Sequence, residues 1–551
     1  MADPRLYTYQ SRLALGAGQS AWLDAYAALY GRAERGLFAA LQAGSSDLNA
    51  LKREFLVRHG LTARQFNAMR ISLQGKIDSI VVSRAERVAT LTQQIRRAVT
   101  VIGRLEKQAP GSARLHQKRR RLGILHARLD QIQADQKAGR VRLCFGSRKL
   151  FRAQFALAQN GYASHAEWKA DWQAQRDAQF FVLGSKDETA GNQSCQASVE
   201  EDGTLTLKLR LPDALAAEGR YITIPDVHFA YGHEDIVAAL LSSQRVQIQT
   251  KHDKPAYRRT GTAISYRFVR DVKGWRVFVC MAVRAPVRTT HRQCGAIGVD
   301  INTDHLAMSE IDSSGNLVRT LRIDLSTYGK SRQQAEALIG DACVAIAEFA
   351  RAAGKPVVHE LLDFARKKAE LEETGARYAR MLSSLSYSRI ITSIDSACFR
   401  HGVETIAVNP AYTSVIGAVN HTKRHGISVH MGAACAIARR GLGLSERPAA
   451  RSGQVPARGS GHVTFALPVR NRAKHVWSLW AGVKRSLKAA RAAHVRSDRE
   501  RAKARSRSAP LAPETRSVGA IQTSGVRSPG ANRHQHCSGD VCSDLRTSAQ
   551  V

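Results

Sequence analysis

The stretch Gly295–Leu325 constrains this chain more than any other, because it reads as strand, turn, strand, turn, strand with one acid inside the pattern. Ala296, Ile297 and Val299 run apolar into Asp300, and Leu306–Ile311 alternates. Asp312-Ser313-Ser314-Gly315-Asn316 then supplies turn residues before Leu317–Leu325 alternates again. An acid at the end of a buried strand is costly unless a cation or a donor compensates it. The pattern recurs at Lys355-Pro356-Val357-Val358-His359-Glu360, a short apolar strand ending in a second acid, after an amphipathic helical stretch over roughly Arg332–Ala353. Val403–Val408 reads as a further strand and His430–Gly441 as a helix.

Two carboxylates delivered to one end of a sheet by neighbouring strands suit divalent-metal phosphoryl chemistry. Hard cations such as Mg²⁺ prefer oxygen ligands, and two metals about 4 Å apart clamp the attacking and leaving oxygens of a phosphodiester. The words GVDINTDHLAMSEIDSSGNLVRT (Gly298–Thr320) and PVVHELLDFARKK (Pro356–Lys368) resemble the first and second RuvC motifs of the TnpB nucleases encoded by insertion sequences. Those enzymes are compact relatives of type V CRISPR effectors. Their third motif is an Asp on a helix, followed after two residues by a pair of Ala. This chain has Ser428-Val429-His430-Met431-Gly432-Ala433-Ala434, so the resemblance sets His430 where the Asp belongs. Imidazole is a poor Mg²⁺ ligand but an acceptable Mn²⁺ ligand and a possible base.

The resemblance implies an α+β multidomain protein with a helical recognition lobe, a small β-barrel wedge domain and a ribonuclease-H-like (RuvC) α/β core. Its layout is an N-terminal segment with wedge and helical elements over 1–60, a recognition hairpin over 61–140, and a mixed, then β-rich wedge over 141–290. A nuclease core follows over 291–447, with a helical insertion at 363–400, and a basic, largely disordered tail over 448–551. Three antiparallel strands, a crossover helix, a parallel strand with its acid, another crossover and another strand match such a core. Most TnpB-like chains carry a four-Cys zinc ribbon before the third motif. Between Glu360 and His430 this chain has only Cys398, so no zinc is expected there.

The formal charge is +37, from 83 Lys and Arg against 46 Asp and Glu, which implies a polyanionic partner, by default nucleic acid. A membrane surface is a weaker match, because the basic residues are spread along the chain. Met1-Ala2-Asp3-Pro4-Arg5 lacks a signal-peptide pattern, and no apolar run reaches about 18 residues, so a bacterial cytoplasmic location is expected. Nine Cys, mostly isolated in apolar stretches, suit reduced core thiols.

Residues from Leu6 to about Arg140 read as helical. Leu91, Ile95, Val99, Ile102 and Leu105 form one apolar stripe, and Leu115, Leu122, Leu125, Leu129 and Ile132 another, either side of a break at Ala109-Pro110-Gly111-Ser112. The resulting hairpin carries Arg84, Arg87, Arg96 and Arg97 on one arm and Lys118, Arg119, Arg120 and Arg121 on the other. These are a solvated face or a surface for the phosphate backbone of an RNA–DNA duplex. Leu143–Phe155 and Phe180–Gln196 are glycine-punctuated segments with Lys and Arg among Phe residues, resembling stretches of a GC-rich TnpB-like subgroup. Thr204–Leu211 alternates, and Ala263–Arg270, Asp271-Val272-Lys273-Gly274 and Trp275–Val283 make a hairpin. Tyr257, Arg258, Arg259, Tyr266, Arg267 and Arg270 interleave aromatics with bases, which suits either an ordinary sheet face or stacking with phosphate contact. Arg366, Lys367, Arg439 and Arg440 are the bases nearest the two later motifs.

The resemblance makes Asp300, Glu360 and His430 the catalytic and metal-binding set. By that resemblance Asp300 would bridge two Mg²⁺ (or Mn²⁺) ions, Glu360 would bind one of them, and His430 would ligate or deprotonate the water. The resemblance further implies that a guide RNA would supply sequence specificity and that the protein would read a short motif flanking the double-stranded target DNA. Two alternatives stand beside this RNA-guided endonuclease: a guided binder whose altered third motif has abolished cleavage, and a guide-independent transposase or resolvase. Asp304, Asp395 and Asp540 are weaker candidates for the missing acid, and His534, His536, Cys537 and Cys542 form a Cys/His cluster without a recognised finger spacing. Oligomeric state is not legible in the sequence.

Overall fold

The computed structural model describes residues 5–44, 47–249, 255–361, 387–448, 450–457 and 461–508. The chain divides into two units, Met1–Ala490 and Arg491–Val551, and the described residues of the second are helical. The Asp540 and Cys/His candidates, the side chains of Tyr257 and Arg258, and Arg366 and Lys367 lie outside the described residues.

In the N-terminal half, β1 (Arg5–Arg12), β2 (Gln179–Val182), β3 (Cys195–Val199), β4 (Leu205–Arg210), β5 (Tyr221–Val227), β6 (Gln244–Gln249), β7 (Pro255–Thr260), β8 (Ile264–Asp271) and β9 (Gly274–Val283) form three sheets. Their orders are β1-β9-β8-β2, β3-β4-β5 and β6-β7. No sheet among the described residues closes into a barrel, which corrects the β-barrel wedge. The open sheets are sealed by packing instead. Tyr26 of helix Ala17–Gln42 stacks on Phe180 at 4.2 Å and Phe180 on Phe268 at 4.8 Å, all three buried.

Arg5–Arg12 is a strand rather than the start of a helical run. It pairs along β9, with Tyr9 opposite Val279, and the Arg400 guanidinium lies 5.1 Å from the Tyr7 ring and 5.6 Å from the Tyr9 ring. Both partners are far along the chain, so its eight residues hold no local signal of them.

The hairpin is built as its stripes require. Its first arm, Ala63–Gln108, opens on a capping box in which Thr62 Oγ1 accepts from Gln65 N at 3.2 Å and Gln65 Oε1 accepts from Thr62 N at 2.9 Å. Its second arm is Ala113–Lys137. Val101, Ile102, Leu105 and Leu115 bury the contact between them, whereas Val99 is exposed.

The C-terminal half is built on a five-stranded sheet in the order β12-β11-β10-β13-β14, made of β10 (Ala296–Ile301), β11 (His305–Ile311), β12 (Leu317–Asp324), β13 (Val357–Glu360) and β14 (Thr405–Val408). β10 is antiparallel to β11, as β11 is to β12; β13 runs parallel to both β10 and β14. The succession of three antiparallel strands, a crossover and a parallel strand is the one read from the sequence; the spatial order of the strands comes from the structure. The crossover helix Arg332–Ala353 starts on a Ser331/Gln334 capping box and ends at Gly354, whose φ of +65° is the left-handed cap glycine favours.

Strand alternation splits the sheet's faces. Ile297, Val299 and Val357 bury against Ile339, Cys343 and Ile346 of the crossover helix and Ile390 and Ile394 of helix Tyr387–Arg400. Ala296 and Val358 bury against Cys435, Ile437 and Ala438 of the closing helix, Val429–Gly441. Burial holds the Cys343, Cys398 and Cys435 thiols up at about 12, and the seven cysteines among the described residues are free.

Part of the expected disordered tail is folded. β15 (Ser452–Pro456) pairs with β16 (His462–Ala466), and the helix Val476–Ser508 buries Leu479, Trp480, Val483 and Leu487 against Ile416, Ala418 and Ala436. Four apolar residues at helical spacing suffice for this contact, and the surrounding Arg and Ala hide them in any average of composition. No helix among the described residues is long and apolar enough to cross a membrane.

Candidate active site

Asp300 lies near the end of β10 and Glu360 closes β13. Val299 is the register partner of His359, so one step further the two acids stand side by side on neighbouring parallel strands. Alternation turns both toward the closing helix, because Asp300 shares its face with Gly298, which packs on that helix, and Glu360 shares its face with Val358. His359 points the other way, toward helix Tyr387–Arg400, where its Nε2 lies 3.4 Å from Asp395 Oδ1. Asp395 is thereby committed to the opposite face.

Asp300 is 9 % exposed, and two neighbouring side chains compensate it. Asn302 Nδ2 donates to Asp300 Oδ2 at 3.1 Å, and His430 Nδ1 lies 3.2 Å from the same oxygen. His430 arrives there because Ser428 caps the closing helix, accepting from Met431 N at 3.2 Å, and because Ser309 of β11 donates to the Met431 carbonyl at 2.7 Å. The hydrogen bond to Asp300 raises the His430 ring above the ordinary histidine value, against the opposing effect of burial. In this arrangement His430 is a donor to Asp300.

His305, which the sequence did not single out, completes the cluster. Its ring stands edge-on to His430 with centroids 5.1 Å apart, and its Nδ1 lies 2.8 Å from Asp304 Oδ1. That hydrogen bond holds the Asp304 carboxyl below the usual range, and Arg322 approaches its other oxygen at 3.5 Å. Asp304 is thus engaged by His305 and Arg322 rather than offered to the pair of acids. The only sequence signal for His305 was its place at the start of the strand facing Asp300.

Glu360 accepts a hydrogen bond from Thr413 Oγ1, a residue that no motif in the sequence marks. Arg440 is close enough for Glu360 to favour its charged form, while burial acts in the opposite sense and lowers the guanidinium; its Nη1 donates to the Asn409 carbonyl. Arg439 faces inward, with Nε 2.6 Å from Glu446 Oε1 and a further hydrogen bond to the Gly315 carbonyl. Glu446 also receives His421 Nε2 at 3.0 Å and Asn420 Nδ2 at 2.9 Å. Arg439 therefore serves packing at this site.

No three His, Cys, Asp or Glu side chains among the described residues converge closely enough to cage a metal. Mg²⁺ does not need a cage, since it keeps several waters and binds through one or two carboxylates plus substrate phosphates. The donor set fits an ion held in that way: two carboxylates on one sheet face, with both hydrogen bonds to Asp300 ending on Oδ2.

The other candidate bases are dispersed. Arg87, Arg96, Arg120 and Arg121 are exposed on the hairpin, and Arg97 and Lys118 are half-buried. Arg119 pairs with Glu106 at 2.7 Å, and Arg84 donates to the Arg140 carbonyl. Arg267 lies over the Phe181 ring at 5.6 Å, Arg259 is exposed, Tyr266 is buried, and Arg270 pairs with Asp24 at 2.6 Å.

No family model and no curated protein matches the chain. Among solved structures it is similar to a Cas12f1 protein in complex with sgRNA and target DNA, at 11 % identity and a TM-score of 0.33, over 79 % of this chain and 99 % of that one. A CRISPR-Cas12f ternary complex matches at 10 % identity and a TM-score of 0.21 over 80 % of this chain and 100 % of that one. RuvC of T. thermophilus, solved with a Holliday junction substrate, matches at 15 % identity and a TM-score of 0.20 over 27 % of this chain and 97 % of that one. All three TM-scores fall below 0.5, so the reading of the site stands on its own geometry.

Proposed function

We propose that the chain is a metal-dependent endonuclease that cuts target DNA under the direction of a guide RNA, with its centre at Asp300 and Glu360. The observation that carries this reading is the register of β10 and β13, which sets the two acids side by side on the face covered by the His430 helix. The net charge of +37 supports a polyanionic substrate.

In this reading Asp300 and Glu360 hold Mg²⁺ or Mn²⁺, which when bound lowers the pKa of a water and neutralises charge developing on the phosphodiester. Asn302 and His430 fix the orientation of the Asp300 carboxylate through its Oδ2. Thr413 fixes Glu360 in the same way, and half-buried Arg440 supplies positive charge beside it. The exposed bases of the hairpin contribute backbone affinity without reading sequence.

A guided binder without cleavage is the second reading. It is favoured by the hydrogen bond that seats His430 on Asp300, where the resemblance calls for a third carboxylate. The test is cleavage of a plasmid carrying the target by the protein purified with its bound RNA, in Mg²⁺ and in Mn²⁺. Cleavage that falls on the order of a thousandfold in Asp300→Ala supports the endonuclease. RNA-dependent binding without cutting supports the binder, and random RNA fragments on the purified protein sink both.

A further inference from the structure

Away from the acids, the segment Leu143–Phe155 folds into one wall of a groove of about 850 Å³, within the roughly 300–1,000 Å³ range of small-molecule sites. Gly146 makes the wall possible. Its φ is +94°, and a Cβ there would stand 3.0 Å from the Trp172 ring. Ser147 then caps the short helix Arg148–Ala153, accepting from Leu150 N at 3.0 Å, and its own N–H donates to Gln175 Oε1 at 2.9 Å. Trp168 Nε1 donates to the Leu150 carbonyl at 2.7 Å, which clamps this wall onto helix His165–Arg176.

The clamp leaves aromatic rings in water. Phe155 is 76 % exposed and Phe151 is 45 % exposed, although Phe151 also meets Trp172 at 5.6 Å. The Phe151 and Phe155 rings stand 6.2 Å apart, so they form one contiguous exposed apolar patch, the kind of surface that marks an interaction site. The same groove is lined by five arginines. Arg35 pairs with Asp177 at 2.9 Å and Arg142 with Asp135 at 2.7 Å. Arg148, Arg152 and Arg176 have no carboxylate within ion-pair distance among the described residues. Arg176 lies 5.6 Å from the Trp172 ring, and its buried Nε makes no hydrogen bond. A buried donor without a partner is rare in a finished fold.

We propose that this groove holds an unpaired nucleotide of a nucleic-acid strand, its base stacked on Phe155 and Phe151 and its phosphate held by Arg148, Arg152 and Arg176. Stacking platforms beside cationic grooves bind single strands because every base has a π-face and every linkage a charge. A base paired within a duplex has no free face to offer. The inference rests on the reading of the chain as a nucleic-acid-binding protein, though not on cleavage.

The test is fluorescence anisotropy with the full-length protein in EDTA, freed of bound RNA, using a short labelled oligothymidylate, the matching oligouridylate and a blunt duplex of equal length. Phe155→Ala is expected to weaken single-strand binding about 5- to 100-fold. Phe155→Trp is expected to restore it, and duplex affinity to hold. A loss confined to one of the two single strands assigns the occupant as DNA or RNA. The variant Arg148→Gln/Arg152→Gln should reduce the salt slope of single-strand binding by about 1.4. Unchanged single-strand affinity in Phe155→Ala, an equal loss on the duplex, or no single-strand binding by the wild type overturns the proposal. Because EDTA removes metal chemistry, these results are read independently of the Asp300→Ala cleavage assay.

Discussion

Gly298 and Ala434 are in backbone contact: a Cβ built on the glycine would stand 1.9 Å from the Ala434 carbonyl oxygen. The closing helix therefore lies directly on β10, two residues before Asp300. No side chain intervenes that could adjust the distance between Asp300 and His430.

Gly298→Ala is accordingly expected to push the closing helix off the sheet. Overpacking in a closed core costs about 1–3 kcal/mol, and here the clash is with backbone, which has no rotamer to change. Thermal unfolding should show the loss, and cleavage should fall further than unfolding accounts for, because the helix carries His430. A variant with wild-type melting temperature and activity would show that the approach is not a constraint.

His430→Asp is expected to raise Mg²⁺-supported cleavage, by about tenfold, the lower end of effects seen when the partners around a metal site change. Carboxylate oxygen suits Mg²⁺ where imidazole does not, and the change removes the ring that now occupies Asp300 Oδ2. Initial rates in Mg²⁺ and Mn²⁺ separately are the measurement. A slower variant in Mg²⁺ would make His430 a working group rather than a substitute.

Glu310 offers a pH dependence remote from the acids. Lys355 Nζ lies 2.6 Å from its Oε1, and both side chains are at most 10 % exposed; Arg319 Nε approaches Oε2. Burial alone would raise this carboxyl, but the two cations outweigh it and hold it below the usual glutamate range. A depressed carboxylate contributes its full stability above the unfolded value of about 4.3 and loses it as pH falls through the lower folded value. Wild-type melting temperature should fall in that acid window. Glu310→Gln should lack this component and be less stable at pH 7 by about 3–5 kcal/mol, because Lys355 is left buried and unpaired. An unaltered acid limb in Glu310→Gln would place the titration elsewhere.

Arginines separate by partner. Replacing Arg87, Arg96 and Arg120 with Gln should leave stability within about 0.5 kcal/mol, since all three are exposed surface positions. The salt slope of duplex binding should drop by about one for each phosphate that the variant no longer neutralises. Arg439→Gln should do the reverse, lowering the melting temperature through Glu446 while leaving the slope alone. A slope unchanged by the triple replacement would assign the hairpin face to solvent.

The sequence was most legible where structure depends on neighbours in the chain. Period-two alternation at Gly295–Leu325, the amphipathic helix over Arg332–Ala353 and the break at Ala109–Ser112 each act within a few residues, and each appears where expected. It was least legible where a strand's partner is distant. Arg5–Arg12 hides within a helical pattern because its ladder lies on β9, and the hairpin of β15 and β16 hides in a tail whose composition is polar on average. Nothing in the run of Arg439 and Arg440 distinguishes a base that seats on Glu446 from one that sits beside Glu360.

By itself, the chain's residue order determined that an acid stands at or near the end of each of two apolar strands, because side-chain alternation and strand length are properties of contiguous residues. Only the tertiary structure decided what compensates those acids: His430 and Asn302 at Asp300, Thr413 and Arg440 at Glu360. Electrostatic pairing acts through space over a few ångströms, and which charges come within that distance is fixed by how helices seat on the sheet.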